Sequence, residues 1–411
     1  MNRRIAYLLL EPPRYSESFI LNEILSLFPF GFPSRVYCLR GAPDRIAQLP
    51  QQLVSITETL PDASGEISVS FSAIADVLEQ SEEKLVAAVS SAFSKMSRRR
   101  HSNQDARKIR EPLWKVACAL RVAACCRRDG ISHLHCHYAN APAEVGLLVK
   151  NFSGVTYSFT GHAKDIFTTP ADRLARVIEG AENIVCCSET GATFLRDCAP
   201  DFSNKIRRVY HGIKLEDWNI KHRSPQNPPL IVAVGRLTPK KGFQFLVEAV
   251  SILTNRGISI EAEIIGEGRE RTTLLQVIEA AGLENRVKLA GQMSQEKIRE
   301  RLSAATVFVL PSVILPSTNQ DGVSNAVLEA MAAGVPVIVS DVPGLREVAR
   351  DGENALVFPS GSAEALANQI ARLIGDPALQ QSLVAAARRR VAEFDSRSAA
   401  AEIRSVLESN A

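Results

Sequence analysis

The sequence predicts an α/β protein made of two doubly wound domains that face each other across a cleft. Short β-branched runs alternate with helical stretches along most of the 411 residues, which is the pattern of parallel sheets covered by helices. The chain is too long for one ordinary core, and a polar, proline-rich stretch interrupts the alternation. We therefore expect a first domain over 1–218, a linker over 219–229 and a second domain over 230–394.

Composition and charge are those of an ordinary globular chain. Hydrophobic residues make up 45% and charged residues 23% of the sequence, and the formal net charge is +3, which does not indicate a nucleic-acid partner. The eight cysteines have no disulfide or metal spacing, which favours a reducing, cytoplasmic compartment. The N-terminal apolar run is too short for a signal peptide and no later run can span a bilayer, so we expect a protein that is soluble or peripheral on a membrane.

The first strand is predicted at IAYLLL (5–10), and the loop after it leads into a helix from Phe19 to Phe28. The helix is predicted because its apolar residues recur at helical spacing. Ser16, Glu17 and Ser18 lie where the loop enters the helix. A serine at this place either caps the helix or faces a ligand bound at the end of the strand.

A basic segment occupies residues 95–128, where eleven Lys and Arg stand against two acidic residues. Between Leu113 and Ala124 this segment carries an apolar stripe at helical spacing. Such a helix either rests on anionic lipid or packs on its own domain with its basic side chains in solvent. The sequence leaves both interpretations open.

Three histidines alternate in the next predicted strand, ISHLHCH (131–137). Because successive side chains on a strand point to opposite faces, His133, His135 and His137 share one face. Such a set suggests a zinc site, with Glu144 as the one nearby carboxylate. We favour the alternative, in which His137 alone lines the cleft from the C-terminal end of the strand.

His162 follows directly after the buried strand VTYSFT (155–160). Open α/β sheets bind ligands at the C-terminal ends of their strands, so this position favours a ligand contact over a purely structural histidine. Asp165 lies three residues later and is a candidate to orient the His162 ring.

Two basic residues follow LIVAVG (230–235), the first strand of the second half. Arg236 and Lys241 can neutralise a diphosphate, Arg by two parallel hydrogen bonds and Lys as a point charge; solvated surface cations are the alternative. Gly266 lies in GEG after the strand AEIIG and is compatible with a base or phosphate pressed against the backbone.

The stretch DGVSNAVLEAMAAGVPVIVS (321–340) is predicted to form a loop, a helix and a buried strand. Ser324 or Asn325 suits the N-cap of the helix, and the free N–H groups and dipole at its N-terminus favour an anion. Asp321 lies before the turn and Glu329 about one helical turn inside. Carboxylates beside an anion site are costly unless they bind another part of the ligand, and a nucleotide-sugar has such parts.

These segments resemble the retaining nucleotide-sugar glycosyltransferases of group 1 (family 4), which have the GT-B fold of two Rossmann-like domains. The resemblance lies in VGRLTPKKGFQFLVEA, IIGEGRERTTL, VKLAGQMSQEKI, VFVLPS and DGVSNAVLEAMAAGVPVIVSDVPGLREVARDGENALVF, the last of which is similar to the family's Glu-x7-Glu signature. YSESFILNEI, HLHCHYANAPAEVGLL, SFTGHAKDIF and RVYHGI resemble the exopolysaccharide, colanic-acid-type branch. With this fold we expect a C-terminal helix over 395–411 that packs back on the first domain.

The resemblance implies a role for each candidate residue. It assigns the donor to Arg236, Lys241, Gly266, Gly322, Val323, Ser324, Asn325 and Glu329, catalysis to His162 and Asp321, and the acceptor side to Ser16, Glu17, Ser18 and His137. Arg236 and Lys241 would meet the diphosphate, and Glu329 would hold the ribose. Asp321 stands where the family usually has the longer Glu, and Ser324 replaces a common proline.

The implied activity is transfer of a sugar from a nucleotide diphosphate-sugar to a hydroxyl of a saccharide acceptor, with retention, in the synthesis of an exopolysaccharide or cell-surface glycan. The resemblance makes the acceptor lipid-linked and the protein peripheral on the inner membrane face through the basic segment 95–128. No Asp-x-Asp motif is present, so we expect no metal and no cofactor. The alternatives are a nucleotide-sugar epimerase, a phosphorylase and a non-catalytic donor-binding scaffold subunit.

Overall fold

Two parallel sheets organise the chain, as the alternation in the sequence predicts. The computed structural model describes residues 3–14, 17–60, 71–100, 106–220, 227–316 and 320–409. The first sheet contains β1 (Ile5–Leu9), β2 (Arg35–Cys38), β3 (Thr57–Thr59), β4 (His133–His137), β5 (Thr156–Gly161), β6 (Ile184–Cys186) and β7 (Ile206–Arg208). Its strands lie in the order β3-β2-β1-β4-β5-β6-β7, and all neighbours are parallel.

The second sheet has the order β10-β9-β8-β11-β12-β13 and is also parallel throughout. Its strands are β8 (Leu230–Val234), β9 (Glu261–Ile265), β10 (Val287–Gly291), β11 (Val307–Leu310), β12 (Val337–Ser340) and β13 (Leu356–Phe358). The chain passes from β10 on one side of β8 to β11 on the other side. This reversal opens a crevice at the C-terminal ends of β8 and β11, which is where doubly wound sheets bind ligands.

Two long helices, α4 (Phe71–Arg100) and α5 (Ala106–Asp129), follow β3 in the first domain. The other helices of this domain are α1 (Ser18–Leu27), α2 (Pro43–Ile46), α3 (Gln51–Val54), α6 (Ala141–Ser153), α7 (Ala163–Thr168), α8 (Ala171–Gly180) and α9 (Glu189–Cys198). None of the helices in the described part of the chain is long and apolar enough to cross a bilayer.

The apolar stripe of α5 packs on its own domain. Val116 and Leu120 are buried in the core of the first domain, and Lys115 is 9% exposed and pairs with Glu111 and Glu144. The interpretation of this stripe as a lipid-facing surface is therefore wrong. The side chains of residues 95–110, the other part of the basic segment, lie outside the described structure.

The helices of the second domain cover both faces of its sheet. They are α10 (Phe243–Asn255), α11 (Arg271–Ala280), α12 (Gln295–Ala304), α13 (Asn325–Ala333), α14 (Pro343–Arg346), α15 (Ala363–Gly375) and α16 (Pro377–Val391), and α17 (Ser396–Glu408) follows them. Helix α17 packs on the first domain, where Ala400, Ile403 and Leu407 share a buried cluster with Ile20 and Ile24 of α1.

The chain enters the second domain earlier than the sequence predicts. Ile213 and Trp218, placed by prediction in the first domain, are buried in the core of the second. The backbone of Ile213 bonds to Phe394 O and Ser396 N at 3.0 and 2.9 Å. The segment that leads into the second domain and the segment that returns to the first therefore lie side by side. The boundary between the domains is near Gly212 rather than at residue 218, because Ile213 and Trp218 already bury their side chains in the second domain.

Candidate active site

A cavity of about 800 Å³ lies between the two domains. The sequence-predicted residues that line it are Glu17, Ser18, His162, Arg236, Lys241, Gly266, Asp321, Gly322, Val323, Ser324, Asn325 and Glu329. Most of them follow the C-terminal ends of strands or start a helix, so the fold brings them together from both domains. Ser16 lies outside the described residues.

Asp321 is the centre of a buried cluster of charges. Its Oδ2 atom lies 2.8 Å from Lys241 Nζ and accepts a hydrogen bond from Ser312 Oγ at 2.5 Å, and its Oδ1 atom lies 3.1 Å from Lys240 Nζ. Although burial opposes ionisation, the two ammonium groups hold the pKa of Asp321 well below its usual range. Asp321 is therefore ionised and carries one negative charge against two positive ones.

Glu329 has the opposite electrostatic environment. It lies in the second turn of α13 and is only 8% exposed, and no residue in the described part of the chain donates a hydrogen bond to its carboxylate. Burial raises the pKa of Glu329 to about 7, and the Arg299 charge opposes this only in part. A buried, unpartnered carboxyl group at the cavity wall is costly unless a ligand supplies its hydrogen-bond partner.

The start of α13 is open to the cavity. Ser324 occupies the N-cap position, but its side chain makes no capping hydrogen bond, so the first-turn N–H groups lack the usual side-chain partner. Gly322 lies against the first domain, where a Cβ atom on it would be 3.4 Å from Ala163 Cβ and 3.8 Å from Ser188 Oγ. The loop before α13 therefore lies at the contact between the domains.

The loop after β8 carries Arg236, which is exposed and lines the cavity. Gly266 packs against this loop. A Cβ atom on Gly266 would lie 1.9 Å from Gly235 O, and its φ of 145° is one that side chains rarely adopt. Gly266 is thus explained by close contact between two protein segments rather than by a ligand alone.

His162 forms part of the first-domain wall of the cavity. Its Nδ1 atom is 3.0 Å from His211 Nε2, and its Nε2 atom is 3.1 Å from His137 Nδ1. Burial and the neighbouring imidazoles hold the pKa of His162 well below its usual value, so the ring is neutral. Asp165 accepts hydrogen bonds from the backbone N–H groups of His162 and Ala139, so it fixes the backbone while other histidines orient the ring.

His137 does not line the cavity, which corrects the prediction that it faces the cleft. The side chain is 0% exposed and lies behind His162, with its Nε2 atom 3.2 Å from Glu23 Oε1. The strand alternation places it correctly on one face of β4 with His133 and His135, but helix α1 covers that face at His137. Its place is behind the candidate site.

The predicted metal set of three histidines and Glu144 is not assembled. Glu144 pairs with Lys115 and Arg173 instead, and His133 and His135 lie within 2.8–2.9 Å of hydroxyl groups on β5. Among the described residues, two other groups bring ligand atoms within 4.8 Å of one another. They are Glu23, His135 and His137, and His162, Cys187 and His211.

The predicted serine cap of α1 is not found among the described residues. Glu17 occupies the N-cap position without a capping hydrogen bond, and its carboxylate accepts from Arg14 N at 3.0 Å. Nearby in the cavity wall, Tyr138 has a φ of 84°, the one positive value among the described non-glycine residues. A side chain in this strained region is often found at functional sites.

Several site residues were missed by reasoning from the sequence. They are Glu23, Tyr138, His211 and Lys240. Lys240 stands beside Lys241 in the same loop, and His211 stands at the end of RRVYHG in the same kind of position as His162. The signal for His211 was therefore present, whereas Glu23 lies inside a helix with no local sign of its role.

The chain is similar to known proteins over different parts of its length. The family model of group 1 glycosyl transferases matches residues 214–390. The amylovoran biosynthesis glycosyltransferase AmsK of Erwinia amylovora is 36% identical over 208 residues, which are 50% of this chain and 51% of that protein. The chain thus matches about half the length of that relative. Alpha-D-kanosaminyltransferase of Streptomyces kanamyceticus is 32% identical over 274 residues, 61% of this chain and 69% of that protein.

A solved structure covers the whole architecture. Alr3699/HepE of Anabaena, in complex with UDP, has a TM-score of 0.73 at 17% identity and covers 99% of this chain and 100% of its own. At this identity the likeness shows the fold, which is GT-B with two Rossmann-like domains facing each other. The predicted fold class is thereby confirmed.

Proposed function

Because the chain belongs to the group 1 glycosyltransferases, we propose that it transfers a sugar from a nucleoside-diphosphate sugar to a hydroxyl of a saccharide acceptor. One observation carries this proposal. The N-terminus of α13 lines a cavity whose wall also carries the cations Arg236, Lys240 and Lys241 and the unpartnered carboxyl group of Glu329. A diphosphate attached to a ribose and a sugar presents anionic oxygens to such cations and hydroxyl groups to such a carboxyl group.

The charges of the site support a diphosphate ligand. Arg236, Lys240 and Lys241 contribute three positive charges and Asp321 one negative charge, which leaves an excess of two positive charges. The diphosphate of a nucleotide-sugar carries two negative charges. We therefore assign the diphosphate to Arg236, the two lysines and the N–H groups of Gly322 to Asn325, and the ribose hydroxyls to Glu329.

Asp321 acts in this proposal by holding the lysines. The family usually has the longer Glu at this position, and here both Asp321 oxygens are already engaged by Lys240, Lys241 and Ser312. A sugar hydroxyl that reaches Asp321 would compete with these groups. The shorter side chain is thus compatible with activity, because its charge is placed where the lysines need it.

We also propose retention at the anomeric carbon without metal or cofactor. Asp321 and Glu329 both belong to the second domain and do not face each other across the cleft as a retaining glycosidase pair does. We propose instead that the acceptor hydroxyl attacks the anomeric carbon on the face from which the diphosphate leaves. The cluster of cations supports this step, because it can stabilise charge on the leaving diphosphate. Transfer that is lost on adding a chelator and restored by a divalent cation would contradict metal independence.

The acceptor is proposed to be a saccharide of a surface glycan, carried on a lipid. AmsK is named for the biosynthesis of amylovoran, which supports a glycan-building role. For a peripheral position on the inner membrane face, the support is the charge of residues 95–110, with seven Lys and Arg against Asp105. Flotation with anionic but not neutral liposomes, lost when Arg98, Arg99 and Arg100 are changed to Gln, tests this part.

Two experiments test the proposed function. A thermal-shift screen of nucleotide-sugars identifies the donor, because a ligand that binds the folded state raises its stability by mass action. Product analysis with that donor then distinguishes a new glycosidic bond from an epimerised nucleotide-sugar or a sugar phosphate. Binding without transfer or slow hydrolysis would indicate a scaffold subunit instead.

A further inference from the structure

Behind the cavity wall lies a buried chain of one carboxylate and three imidazoles, which we name the histidine chain. It consists of Glu23 on α1, His137 at the end of β4, His162 after β5 and His211 after β7. All four are 8% exposed or less. The successive distances are 3.2 Å from Glu23 Oε1 to His137 Nε2, 3.1 Å from His137 Nδ1 to His162 Nε2, and 3.0 Å from His162 Nδ1 to His211 Nε2.

The carboxylate decides which nitrogen of each ring carries the proton. Although burial opposes ionisation, the neighbouring His137 and His135 lower the pKa of Glu23 to about 2, so it is ionised and can only accept hydrogen bonds. Because the carboxylate can only accept, a neutral His137 ring donates to it through Nε2, and the His137 Nδ1 atom then accepts from His162 Nε2–H. His162 Nδ1 is left to accept from His211 Nε2–H.

The other oxygen of the carboxylate is unpartnered. Glu23 Oε2 is buried and has no hydrogen-bond partner, and a cavity of about 10 Å³ is lined by Glu23, His211 and Ser396. This volume is about that of one water molecule. In these tautomers His211 Nδ1 carries no proton and can only accept a hydrogen bond. No residue in the described part of the chain donates one to it.

We propose that Glu23 is a positioning residue that sets the tautomer of His162 through His137, and that a water in the small cavity donates to Glu23 Oε2 and His211 Nδ1 and so closes the chain. Both acceptors are then satisfied by the two hydrogens of one water. The consequence for substrate rests on the proposed function. His162 offers a ligand only Nδ1, as an acceptor, so a substrate hydroxyl that reaches it must donate its hydrogen in place of His211.

A metal ion is the competing explanation for the same residues. Glu23, His135 and His137 form one group with metal-ligand spacing, and His162, Cys187 and His211 form another. A metal would require the nitrogen lone pairs to point at a common centre. In the proton-based assignment each lone pair points instead at the N–H of the next ring, so the two explanations predict different protonation of the histidines.

The test reads the histidine tautomers directly by ¹⁵N NMR of the full chain with labelled histidine, without substrate. The seven histidines are few enough to resolve, and His162→Gln assigns the signal of interest. We expect neutral His162 with its proton on Nε2 in the wild type. In Glu23→Gln, whose amide can donate as well as accept, we expect a mixture of tautomers and at least a tenfold lower kcat, with the donor KM changed less than threefold.

Tyr7→Phe is the matched control. Tyr7 OH donates to the same Glu23 oxygen at 2.8 Å, but its loss does not change which groups can accept, so the His162 tautomer should stay the same. A wild-type His162 with its proton on Nδ1, or an unchanged tautomer in Glu23→Gln, would overturn the proposal. A stoichiometric metal ion in the purified protein would overturn it as well, in favour of a metal site. A protein with the expected tautomers but no transfer would refute the proposed function alone.

Discussion

The ammonium group of Lys241 lies 2.8 Å from the carboxylate of Asp321, on the wall of the interdomain cavity. Lys240 pairs with the other oxygen of the same carboxylate. All three residues belong to the second domain, so the cluster is present before a ligand arrives. A site that holds its cations in place in advance loses less entropy when a diphosphate binds.

Asp321→Asn should unfold more easily and respond more strongly to a nucleoside diphosphate. Removing one member of a buried ion pair leaves the other charges uncompensated and costs about 3–5 kcal/mol. A bound diphosphate replaces the lost negative charge, so the rise in melting temperature on adding the nucleotide should be larger than in the wild type. Asp341→Asn, on an exposed residue of the same domain, is the control. A smaller ligand-induced shift in Asp321→Asn would contradict this account.

Glu329→Gln should change the pH dependence of stability. The pKa of Glu329 is raised from 4.5 to about 7 in the folded state, so the folded state binds more protons than the unfolded state between these values. Wild-type stability therefore falls as pH rises through this range. The variant lacks this loss and should gain up to about 3 kcal/mol relative to the wild type between pH 4.5 and pH 8. Chemical denaturation at several pH values measures it.

The same substitution should lower kcat/KM for the donor by more than tenfold, because the amide removes the charge placed for the ribose hydroxyls. Glu353→Gln, at an exposed residue that pairs with Arg350, is the control for both measurements. If Glu329→Gln shows wild-type kinetics and the wild-type pH profile of stability, Glu329 has no special role.

Glu347 joins the two domains, and its loss should open the cleft. This residue of the second domain accepts hydrogen bonds from Glu189 N, Thr190 N and Thr190 Oγ1 at 2.7–2.9 Å, at the N-terminus of α9 in the first domain. Glu347→Ala should increase the radius of gyration in X-ray scattering and raise the donor KM about tenfold. Glu364→Ala, which breaks a pair with Arg256 inside one domain, should do neither. Equal scattering curves for the wild type and Glu347→Ala would refute the link.

Gly344→Ala should disturb the donor loop without unfolding the protein. A Cβ atom on Gly344 would lie 2.5 Å from both Asp321 O and Gly322 Cα, so the loop before α13 must shift. We expect at least tenfold weaker binding of the nucleotide by calorimetry. Gly375→Ala is the control, because a Cβ atom there meets nothing within 4 Å. Unchanged affinity in Gly344→Ala would show that the position of this loop does not matter for the donor.

The second-domain wall of the site was predictable because each of its residues lies near the end of a predicted strand or the start of a predicted helix. Arg236 follows β8, Asp321 lies in the loop before α13 and Glu329 lies in the second turn of α13, and parallel strands bring such positions to one edge. The role of Gly266 was not predictable, since the contact that explains it is with Gly235, which lies directly after β8, a different strand of the sheet.

The first-domain wall was predictable only in part. Period-two alternation correctly placed His133, His135 and His137 on one face, but it does not say what covers that face. Here the cover is Glu23 on α1, more than a hundred residues away in the chain. Likewise, the periodicity of α5 identified its apolar stripe, and only the tertiary structure shows that the stripe is buried in the domain core.

The central claim is that the cluster beside α13 binds a nucleoside diphosphate, and calorimetric titration tests it most directly. Wild-type protein, Arg236→Ala/Lys241→Ala and Glu329→Gln are titrated with UDP, GDP, ADP and dTDP, with Lys288→Ala, at an exposed residue of the same domain, as the control. We expect one of the nucleotides to bind the wild type and the control at one site, with Kd at least 100-fold higher in the double variant and at least tenfold higher in Glu329→Gln. No binding by any of the four, or equal Kd in the wild type and the double variant, would contradict the account.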